Sequence, residues 1–402
     1  MAQVQGRLYD TLLKGHLASE RQIALVAGPR QVGKTTTCRG LADDYLNWDN
    51  PDHRRLIIEG PRAVANHVGL DRLGTRRPVV LFDELHKYAR WKSFLKGFFD
   101  TYEDRIRILV TGSARLDVFR RGGDSLMGRY FLYRMHPWSA AEWPHTTLPG
   151  DEIVRTTPRP MSDEDWSALL EHGGFPEPFL RRERPFSRRW RTLRYDLLMR
   201  EDTRDAARIE DLAALEILGA LLQERSSQQL VYSTLAREVG VTVDTIRRWL
   251  DLFERLYYGF RLRPWFRNVN RSLRKEPKWY LRDWSSIADR GARAETFVAC
   301  HLLKAVEGWT DMGLGSFELR YLRDKDKREV DFVVIRDRQP WFLVEVKAAG
   351  ETLSESLGRM QAQTRARHAF QCVVDSPFVD ADCFRETRPI IVPARTLLGQ
   401  LL

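Results

Sequence analysis

Residues 23–39 read IALVAGPRQVGKTTTCR, and this stretch decides the fold of the first part of the chain. An apolar strand runs into a loop bounded by Gly28 and Gly33, and a helical segment follows at once. The loop fits the pattern GxxxxGK(S/T) at every fixed position. Glycines let the backbone turn so that successive N–H groups point at phosphate oxygens, and the next helix presents its positive end to the same anion. The stretch therefore predicts a phosphate-binding loop between a strand and a helix.

This loop predicts a site for ATP with Mg²⁺. Lys34 would reach the β- and γ-phosphates, and the Thr35 hydroxyl would bind Mg²⁺. The other loop residues expected to contact the nucleotide are Gly28, Pro29, Arg30, Gln31, Val32, Gly33 and Thr36. The alternative is a glycine turn that only joins a strand to a helix, and the Lys-Thr pair between correct flanks disfavours it.

An acidic pair, Asp83-Glu84, follows the apolar strand VVLF downstream of the loop. A carboxylate at the end of a buried strand can hold Mg²⁺ beside the phosphates, which is the role we predict for Asp83. Glu84 is suited to polarise the attacking water as a general base. Without the loop, the pair would indicate a helix cap. Thr111 and Ser113 follow another apolar strand, where a hydroxyl would sense the γ-phosphate or belong to a simple turn.

Composition bounds the class of protein. The 402 residues carry 65 Lys and Arg against 55 Asp and Glu, and the resulting formal charge of +10 permits a polyanionic partner. No apolar run is long enough for a membrane helix, and the N-terminus does not read as a signal peptide. The scattered cysteines show no disulfide or zinc pattern, so we predict a cytoplasmic protein.

Hydrophobic periodicity predicts an α/β architecture. Short apolar strands alternate with helical stretches from residue 21 to about 145, which indicates a mostly parallel sheet covered on both faces. Residues 161–285 read as almost entirely helical. The pattern divides the chain into a phosphate-binding domain at 1–150, a helical lid or linker at 151–205, a winged-helix-like domain at 206–285 and a second α/β domain at 286–402.

Residues 230–257, LVYSTLAREVGVTVDTIRRWLDLFERLY, read as a helix, a tight turn and a second helix. Gly240 can end the first helix, and Thr242 can cap the second. The apolar residues of the second helix repeat at helical spacing, which leaves Arg247 and Arg248 facing outward. Such a helix is typical of those that enter a DNA major groove, so we predict DNA contacts at both arginines. A protein-interaction module is the alternative.

Two apolar strands near the C-terminus carry Asp331, in EVDFVVI, and Glu345 with Lys347, in LVEVK. Glu345 and Lys347 share one face of their strand, and pairing as a hairpin would bring Asp331 beside Glu345. Two close carboxylates repel unless a cation lies between them, so we predict a divalent metal here, with Lys347 orienting the attacking water. Glu295, on the preceding helix, is expected to add a third acid. The alternative is a sheet edge on which Lys347 neutralises Glu345.

Together these motifs resemble AAA-type P-loop ATPases, and more specifically a prokaryotic group in which the ATPase module is fused to a C-terminal domain of unknown function. The resemblance is carried by GPRQVGKTT, FDE, TGSA, GRYFLYRMHPWSAAEW and GGFPEPFL. It implies ATP hydrolysis, and it implies that an arginine, here Arg129, contacts the γ-phosphate in cis or across a subunit boundary. A surface ion pair is the alternative for Arg129. Trp138 departs from the group, which has leucine at this position.

The spacing of Asp331, Glu345 and Lys347 is also similar to the restriction-endonuclease-like phosphodiesterase core. One hypothesis is therefore an ATPase whose nucleotide state moves a DNA-binding and nuclease-like tail, either alone or as a homo-oligomer. The alternative is a nucleotide-dependent switch with a catalytically inactive tail that binds partners. A small-molecule kinase is disfavoured because it needs neither Glu84 nor the tail modules.

Overall fold

The protein is described from a computed structural model that covers residues 6–72, 76–112, 126–149, 153–203, 211–265, 276–323 and 328–402. Ser113, which we expected at the γ-phosphate, lies outside these residues. The chain forms two compact units. Unit 1 comprises Met1–His136 with Thr146–Leu148, and unit 2 comprises Pro137–His145 with Pro149–Leu402. The domain boundaries predicted at residues 150, 205 and 285 stay predictions.

A parallel sheet of five strands forms the centre of unit 1, as the alternating pattern predicts. Its strands are β1 (Ile23–Ala27), β2 (Asp44–Asn47), β3 (Val79–Asp83), β4 (Arg107–Gly112) and β5 (Tyr130–Arg134). Their order across the sheet is β2-β3-β4-β1-β5. Every residue of β1 is buried, as expected for a parallel strand covered on both faces.

Helices pack apolar side chains against this sheet. In the described part of unit 1 they are α1 (Leu8–Ser19), α2 (Lys34–Arg39), α3 (Pro51–Glu59), α4 (Pro61–His67) and α5 (Trp91–Tyr102). The ring of Phe82, in β3, meets Phe94 and Phe98 of α5 edge to face, with centroids 5.6 Å apart in each pair. Edge-to-face aromatic pairs add to the stability gained from apolar burial, so this contact anchors β3 just before its functional end.

The strand register brings the predicted nucleotide-binding residues to one edge of the sheet. Ala27 is level with Gly112, and Asp83 is level with Thr111. Because all the strands are parallel, the carboxyl ends of β1, β4 and β3 lie side by side, with β4 between the other two. The loop after β1 and the acidic pair at the end of β3 therefore meet at the same edge.

The first part of unit 2 is largely helical, as the sequence predicts. Its helices within the described residues are α6 (Asp163–His172), α7 (Pro176–Arg181), α8 (Arg184–Leu197), α9 (Leu212–Glu224), α10 (Tyr232–Val239) and α11 (Val243–Arg255). A π-helical turn, Leu198–Asp202, extends α8. A two-stranded antiparallel sheet, β6 (Gly259–Leu262) with β7 (Lys278–Leu281), follows α11.

A mixed sheet forms the C-terminal part of unit 2. Its strands are β8 (Phe317–Arg323), β9 (Glu329–Arg336), β10 (Gln339–Lys347), β11 (His368–Val373) and β12 (Pro389–Pro393), in the order β12-β11-β10-β9-β8. The first three strands pair antiparallel, and β11 and β12 add in parallel. The helices of this part are α12 (Arg290–Asp311), α13 (Glu355–Thr364) and α14 (Ala394–Gly399). No helix in the described residues is both long and apolar enough to cross a membrane.

The short segment 137–145 packs inside unit 2. Lys304 of α12 donates a hydrogen bond to the Glu142 carboxylate, and both side chains are almost fully buried. Gly174, in the GGFPEPFL motif, permits a close approach, because a Cβ there would lie 2.4 Å from the carbonyl oxygen of Trp138. Two motifs that carry the family resemblance thus form one packed region.

Candidate functional site

The loop between β1 and α2 curls tightly at the carboxyl edge of the unit 1 sheet. Gln31 and Gly33 adopt left-handed conformations, with φ of 62° and 103°. A Cβ at Gly28 would lie 2.3 Å from the carbonyl oxygen of Met135, so only glycine fits this position. The backbone of the predicted phosphate-binding residues is therefore gathered into one curl directly ahead of Lys34, the first residue of α2.

The Lys34 side chain is buried within this curl. Its Nζ donates hydrogen bonds to the carbonyl oxygens of Gly28 at 2.9 Å and Pro29 at 2.7 Å. Burial lowers the pKa of Lys34 to about 8, although the carboxylates of Glu84 and Asp83 oppose this shift. Among the residues that the structure describes, this ammonium forms no ion pair, and an added phosphate would supply one.

Asp83 accepts hydrogen bonds from three hydroxyl groups. The Thr35 hydroxyl lies 3.1 Å from Asp83 Oδ2, the Tyr45 hydroxyl lies 2.9 Å from the same oxygen, and the Thr111 hydroxyl donates to Oδ1. The Asp83 side chain is buried. Hydroxyl donors stabilise a carboxylate without adding a positive charge, so this arrangement is suited to an added cation. Hydroxyl and carboxylate oxygens are ligands that Mg²⁺ prefers, and Thr35 and Asp83 therefore fit the ion that accompanies ATP.

Sequence reasoning missed Tyr45 as a member of this site. It lies on β2, next to β3, where its hydroxyl reaches Asp83. Burial and the hydrogen bond to Asp83 raise the pKa of Tyr45 to about 12, so the phenol stays protonated and remains a donor. The guanidinium of Arg39 lies over its ring, 4.7 Å from the centroid. The tyrosine sits in a short strand of ordinary composition, and no local pattern marks it.

Glu84 follows Asp83 in a left-handed conformation, with φ of 53°. For a residue with a side chain this conformation is uncommon, and it turns the chain out of β3 into the short helix Leu85–Lys87. Burial raises the pKa of Glu84, with Lys87 opposing, and the Lys87 ammonium lies 3.6 Å from its carboxylate. A carboxylate with a raised pKa accepts a proton more readily, which suits the general-base role predicted from sequence.

A buried arginine at the start of α1 forms hydrogen bonds that hold the loop in place. Arg7 donates one hydrogen bond to the carbonyl oxygen of Val32 and another to that of His136, each at 2.7 Å. These bonds link the loop to His136. The preceding residue, Met135, is the one against which Gly28 packs. Sequence reasoning did not predict this contact.

Arg129 lies at the amino end of the parallel strands, whereas the loop lies at their carboxyl end. Its carbonyl accepts a hydrogen bond from Ile23, at the amino end of β1, whereas Ala27 at the carboxyl end is level with Arg134. Its guanidinium forms a two-point ion pair with Asp100, at 2.5 and 3.1 Å. β1 alone spans about 13 Å, so Arg129 lies well away from the end of the strands where the loop begins. The surface ion pair that was the alternative for Arg129 is present, and contact with a γ-phosphate, in cis or across a subunit boundary, stays a prediction.

The helix pair α10–α11 has the predicted turn. Gly240 is left-handed, with φ of 80°, and the Thr242 hydroxyl caps α11 by accepting from the Thr245 amide. Arg247 and Arg248 are exposed, as expected. Arg247 also forms an ion pair with Asp244, at 3.0 Å.

In unit 2, an ammonium group lies among the predicted metal-binding carboxylates. Lys278 of β7 places its Nζ 3.0 Å from Glu295, 2.5 Å from Glu329 and 3.7 Å from Asp331. Although burial acts against it, these carboxylates raise the pKa of Lys278, which therefore stays charged. Tyr280 of the same strand donates to Glu295 at 2.7 Å. Sequence reasoning missed Lys278 because β7 is distant in the chain from β9.

The remaining members of the predicted metal set are paired in another way. Glu345 forms an ion pair with Lys347 at 2.9 Å, which was the alternative for these residues. Burial and the Glu295 carboxylate raise the pKa of Asp331, whose carboxylate accepts a hydrogen bond from the Val346 amide at 2.8 Å. Within the described residues no group of three His, Cys, Asp or Glu side chains is arranged to hold a metal ion. A divalent metal does not fit this cluster while the Lys278 ammonium lies within 4 Å of its carboxylates.

Comparison with known families divides the chain in three. Residues 20–143 match the family described as AAA domain. Residues 163–288 and 290–376 match two domains of unknown function, DUF8612 and DUF4143. The chain thus combines an AAA-type ATPase domain, which contains the loop and Asp83-Glu84, with a C-terminal domain of unknown function.

Relatives are similar over part of the chain. Two uncharacterised proteins, from Mycobacterium bovis and Mycobacterium tuberculosis, are each 26% identical over 265 residues. Each match covers 65% of this chain and 54% of the relative, so the chain spans about half the length of these curated relatives. Among solved structures, C. elegans PCH-2 matches at a TM-score of 0.24 and 15% identity, covering 41% of this chain and 43% of that one. A Pyrococcus horikoshii signal transduction ATPase with a tetratricopeptide repeat sensor matches at a TM-score of 0.21 and 10% identity, covering 74% and 47%.

Proposed function

We propose that this protein hydrolyses ATP at a nucleotide site formed by Gly28–Thr35, Asp83 and Glu84. The observation that carries the proposal is the buried Asp83 carboxylate at the edge where the loop begins. It receives hydroxyl hydrogen bonds, and among the described residues it has no ion pair. Magnesium bound through Thr35 and Asp83 would supply charge neutralisation for the β- and γ-phosphates.

In this proposal Lys34 and Glu84 have different roles in hydrolysis. Lys34 exchanges its two carbonyl partners for phosphate oxygens and offsets their charge. Glu84 accepts a proton from the attacking water as the water oxygen bonds to the γ-phosphorus. The bond between that phosphorus and the β,γ-bridging oxygen breaks, and ADP and phosphate leave.

Two substitutions separate binding from chemistry. Lys34→Ala should weaken ATP binding and reduce turnover by roughly two to three orders of magnitude, because it removes a charge that stabilises the transition state. Glu84→Gln should keep binding and lose turnover by a similar factor. Lys96→Ala, an exposed lysine of α5, is the matched control and should match wild type. Undiminished hydrolysis in the Lys34 variant would refute the proposal.

We further propose that Arg129 acts on a neighbouring subunit. Its position at the amino end of the strands favours a neighbouring subunit's site over its own, and its exposed pair with Asp100 can open at modest cost. If so, mixing Arg129→Ala with Lys34→Ala should restore part of the turnover, since each variant supplies what the other lacks. No recovery at any mixing ratio would argue against contact in trans.

DNA is the partner we propose for the α10–α11 pair. Exposed Arg247 and Arg248 on α11, the overall charge of +10 and the adjacent β6–β7 sheet favour it. Binding should weaken steeply as salt rises, and replacing both arginines by alanine should reduce the slope. A flat salt response would favour a protein partner instead.

For the mixed-sheet tail we propose the inactive alternative, a module that responds to nucleotide state without cutting DNA. Lys278 supports it, because an ammonium already lies beside Glu295 and Asp331, two of the carboxylates that a nuclease would use for metal. Wild type and Asp331→Ala should then behave alike on nicked, branched and single-stranded DNA with Mg²⁺ or Mn²⁺. Cleavage by wild type that Asp331→Ala abolishes would restore the nuclease hypothesis.

A further inference from the structure

Unit 2 contains a cavity with a strongly basic wall. Its volume is about 560 Å³, and it lies among α8, α9 and the segment that leads from β7 into α12. Three of its arginines, Arg188, Arg191 and Arg194, come from α8, and Arg293 comes from α12. Against these four cations the described lining residues include one acid, Asp283. We refer to this site as the arginine cavity.

Two of the arginines are held in place by backbone carbonyl groups. Arg191 donates to the carbonyl oxygen of Ser285 at 2.8 Å and to its hydroxyl at 3.1 Å. Arg293 donates through Nε to the carbonyl oxygen of Ile287 at 2.7 Å. Carbonyl groups orient a guanidinium without cancelling its charge. Both cations are therefore positioned before any ligand arrives, which lowers the entropy cost of binding.

The other two arginines differ in how they are anchored. Arg194 stacks over the ring of Phe175, with its guanidinium carbon 4.0 Å from the centroid, and lies 3.9 Å from Asp283. Arg188 is exposed and has no ion pair with any residue that the structure describes. The acid thus offsets one of four charges, and the wall keeps an excess of positive charge.

We propose that the arginine cavity binds a phosphorylated small molecule of mononucleotide size. Guanidinium groups match phosphate oxygens with paired N–H donors. The volume falls in the range of pockets that enclose small ligands, about 300–1,000 Å³. Tyr195, Leu198, Leu281 and Ile287 also line the cavity and would cover the part of the ligand that carries no charge. This ligand is separate from the ATP that unit 1 hydrolyses, and the site gives the tail a way to respond to a phosphorylated metabolite.

The test is calorimetric titration of the full chain with AMP, and with adenosine as the probe that lacks phosphate. Lys34→Ala is included so that the loop in unit 1 does not contribute. AMP should bind wild type and Lys34→Ala alike, adenosine should bind at least about tenfold more weakly, and added salt should weaken AMP binding.

Matched substitutions on one helix locate the site. Arg188→Glu should weaken AMP binding by at least about tenfold, and Arg188→Ala by a smaller factor, because each removes a charged hydrogen-bond donor. Arg189→Glu makes the same charge change at the next residue, which is exposed and does not line the cavity, and it should bind as wild type does. Thermal melting checks that all three variants fold.

Three results would overturn the proposal. AMP binding that disappears in Lys34→Ala would assign it to unit 1. Equal effects of the Arg188 and Arg189 substitutions would indicate a diffuse charge effect. Binding of a single-stranded oligonucleotide that depends on Arg188, with no binding of AMP at millimolar concentration, would identify the cavity as part of a nucleic-acid surface.

Discussion

Asp83 in unit 1 and Asp331 in unit 2 are both largely buried strand aspartates, and the sequence predicted a metal beside each. Around Asp83 the donors are the hydroxyls of Thr35, Tyr45 and Thr111. Around Asp331 the neighbour is a buried ammonium, Lys278, which also pairs with two glutamates. The first carboxylate is surrounded by hydroxyl donors, which suits an added cation, whereas the second group already contains the Lys278 ammonium. The spacing of carboxylates in the sequence therefore predicts where acidic side chains cluster. The donors that surround them in the fold determine whether the cluster can bind a metal ion.

The largest effect is expected from removing the resident cation. Lys278→Met should lower the free energy of unfolding by about 3–5 kcal/mol, because it leaves buried carboxylates unpaired. Lys347→Met, which breaks the more exposed pair with Glu345, should cost at most about 1 kcal/mol. Chemical denaturation of both variants measures the difference. Equal losses of unfolding free energy would show that the burial of Lys278 adds nothing to its contribution to stability.

The next effect distinguishes the two aspartates in catalysis. Asp83→Asn should reduce ATP turnover by roughly 10²–10³-fold, since it removes the charge that fixes magnesium. Asp331→Asn should leave turnover within about twofold of wild type. A coupled ATPase assay on both purified variants gives the ratio, and loss of turnover in both would mean that the C-terminal cluster takes part in hydrolysis.

The pH dependence of ATP affinity tests whether the ammonium of Lys34, unlike that of Lys278, gains its ionic partner only when phosphate binds. Burial lowers the pKa of Lys34 to about 8, and bound phosphate should raise it. Below pH 8 the group is charged in both states, and ATP affinity should be constant. Above pH 8 the free protein must take up a proton to bind, so affinity should fall by up to about tenfold per pH unit.

Calorimetry in buffers of different ionisation enthalpy measures this proton uptake directly. Lys34→Arg keeps its charge across this range, so its affinity profile should be flat. A flat profile for wild type would mean that the free lysine is already fully charged above pH 8.

The smallest effect concerns a single hydroxyl donor at Asp83. Tyr45→Phe removes one hydrogen bond to the carboxylate and should raise the magnesium concentration needed for half-maximal turnover by about fivefold. Tyr102→Phe, on α5, is the matched control and should leave it unchanged. Unchanged magnesium dependence in the Tyr45 variant would show that this hydroxyl does not tune Asp83.

Local patterns predicted much of the fold and part of the nucleotide site. Gly28, Gly33 and Lys34 are constrained by neighbours in the chain, so their spacing alone indicates a curled loop. Alternating strands and helices predicted the parallel sheet that brings Asp83 to the loop. The second helix of the α10–α11 pair was also predictable from the sequence, because its buried residues repeat with the helical period.

Long-range partners were beyond such reasoning. Tyr45 reaches Asp83 because β2 lies beside β3, and Arg129 lies away from the loop because β5 begins at the amino end of the parallel strands. Lys278 enters the carboxylate cluster from a strand outside the mixed sheet. Each outcome depends on strand order and register, which are set by packing of the whole unit.

By itself, the sequence determined the phosphate-binding curl, the acidic pair after β3 and the strand–helix alternation, since hydrogen bonding and hydrophobic period act over a few residues. Tertiary structure alone decided which cations and hydroxyls surround each carboxylate and which arginines line a common wall. The physical reason is that a buried charge responds to whatever donor lies within about 4 Å, and chain folding brings such donors from distant positions.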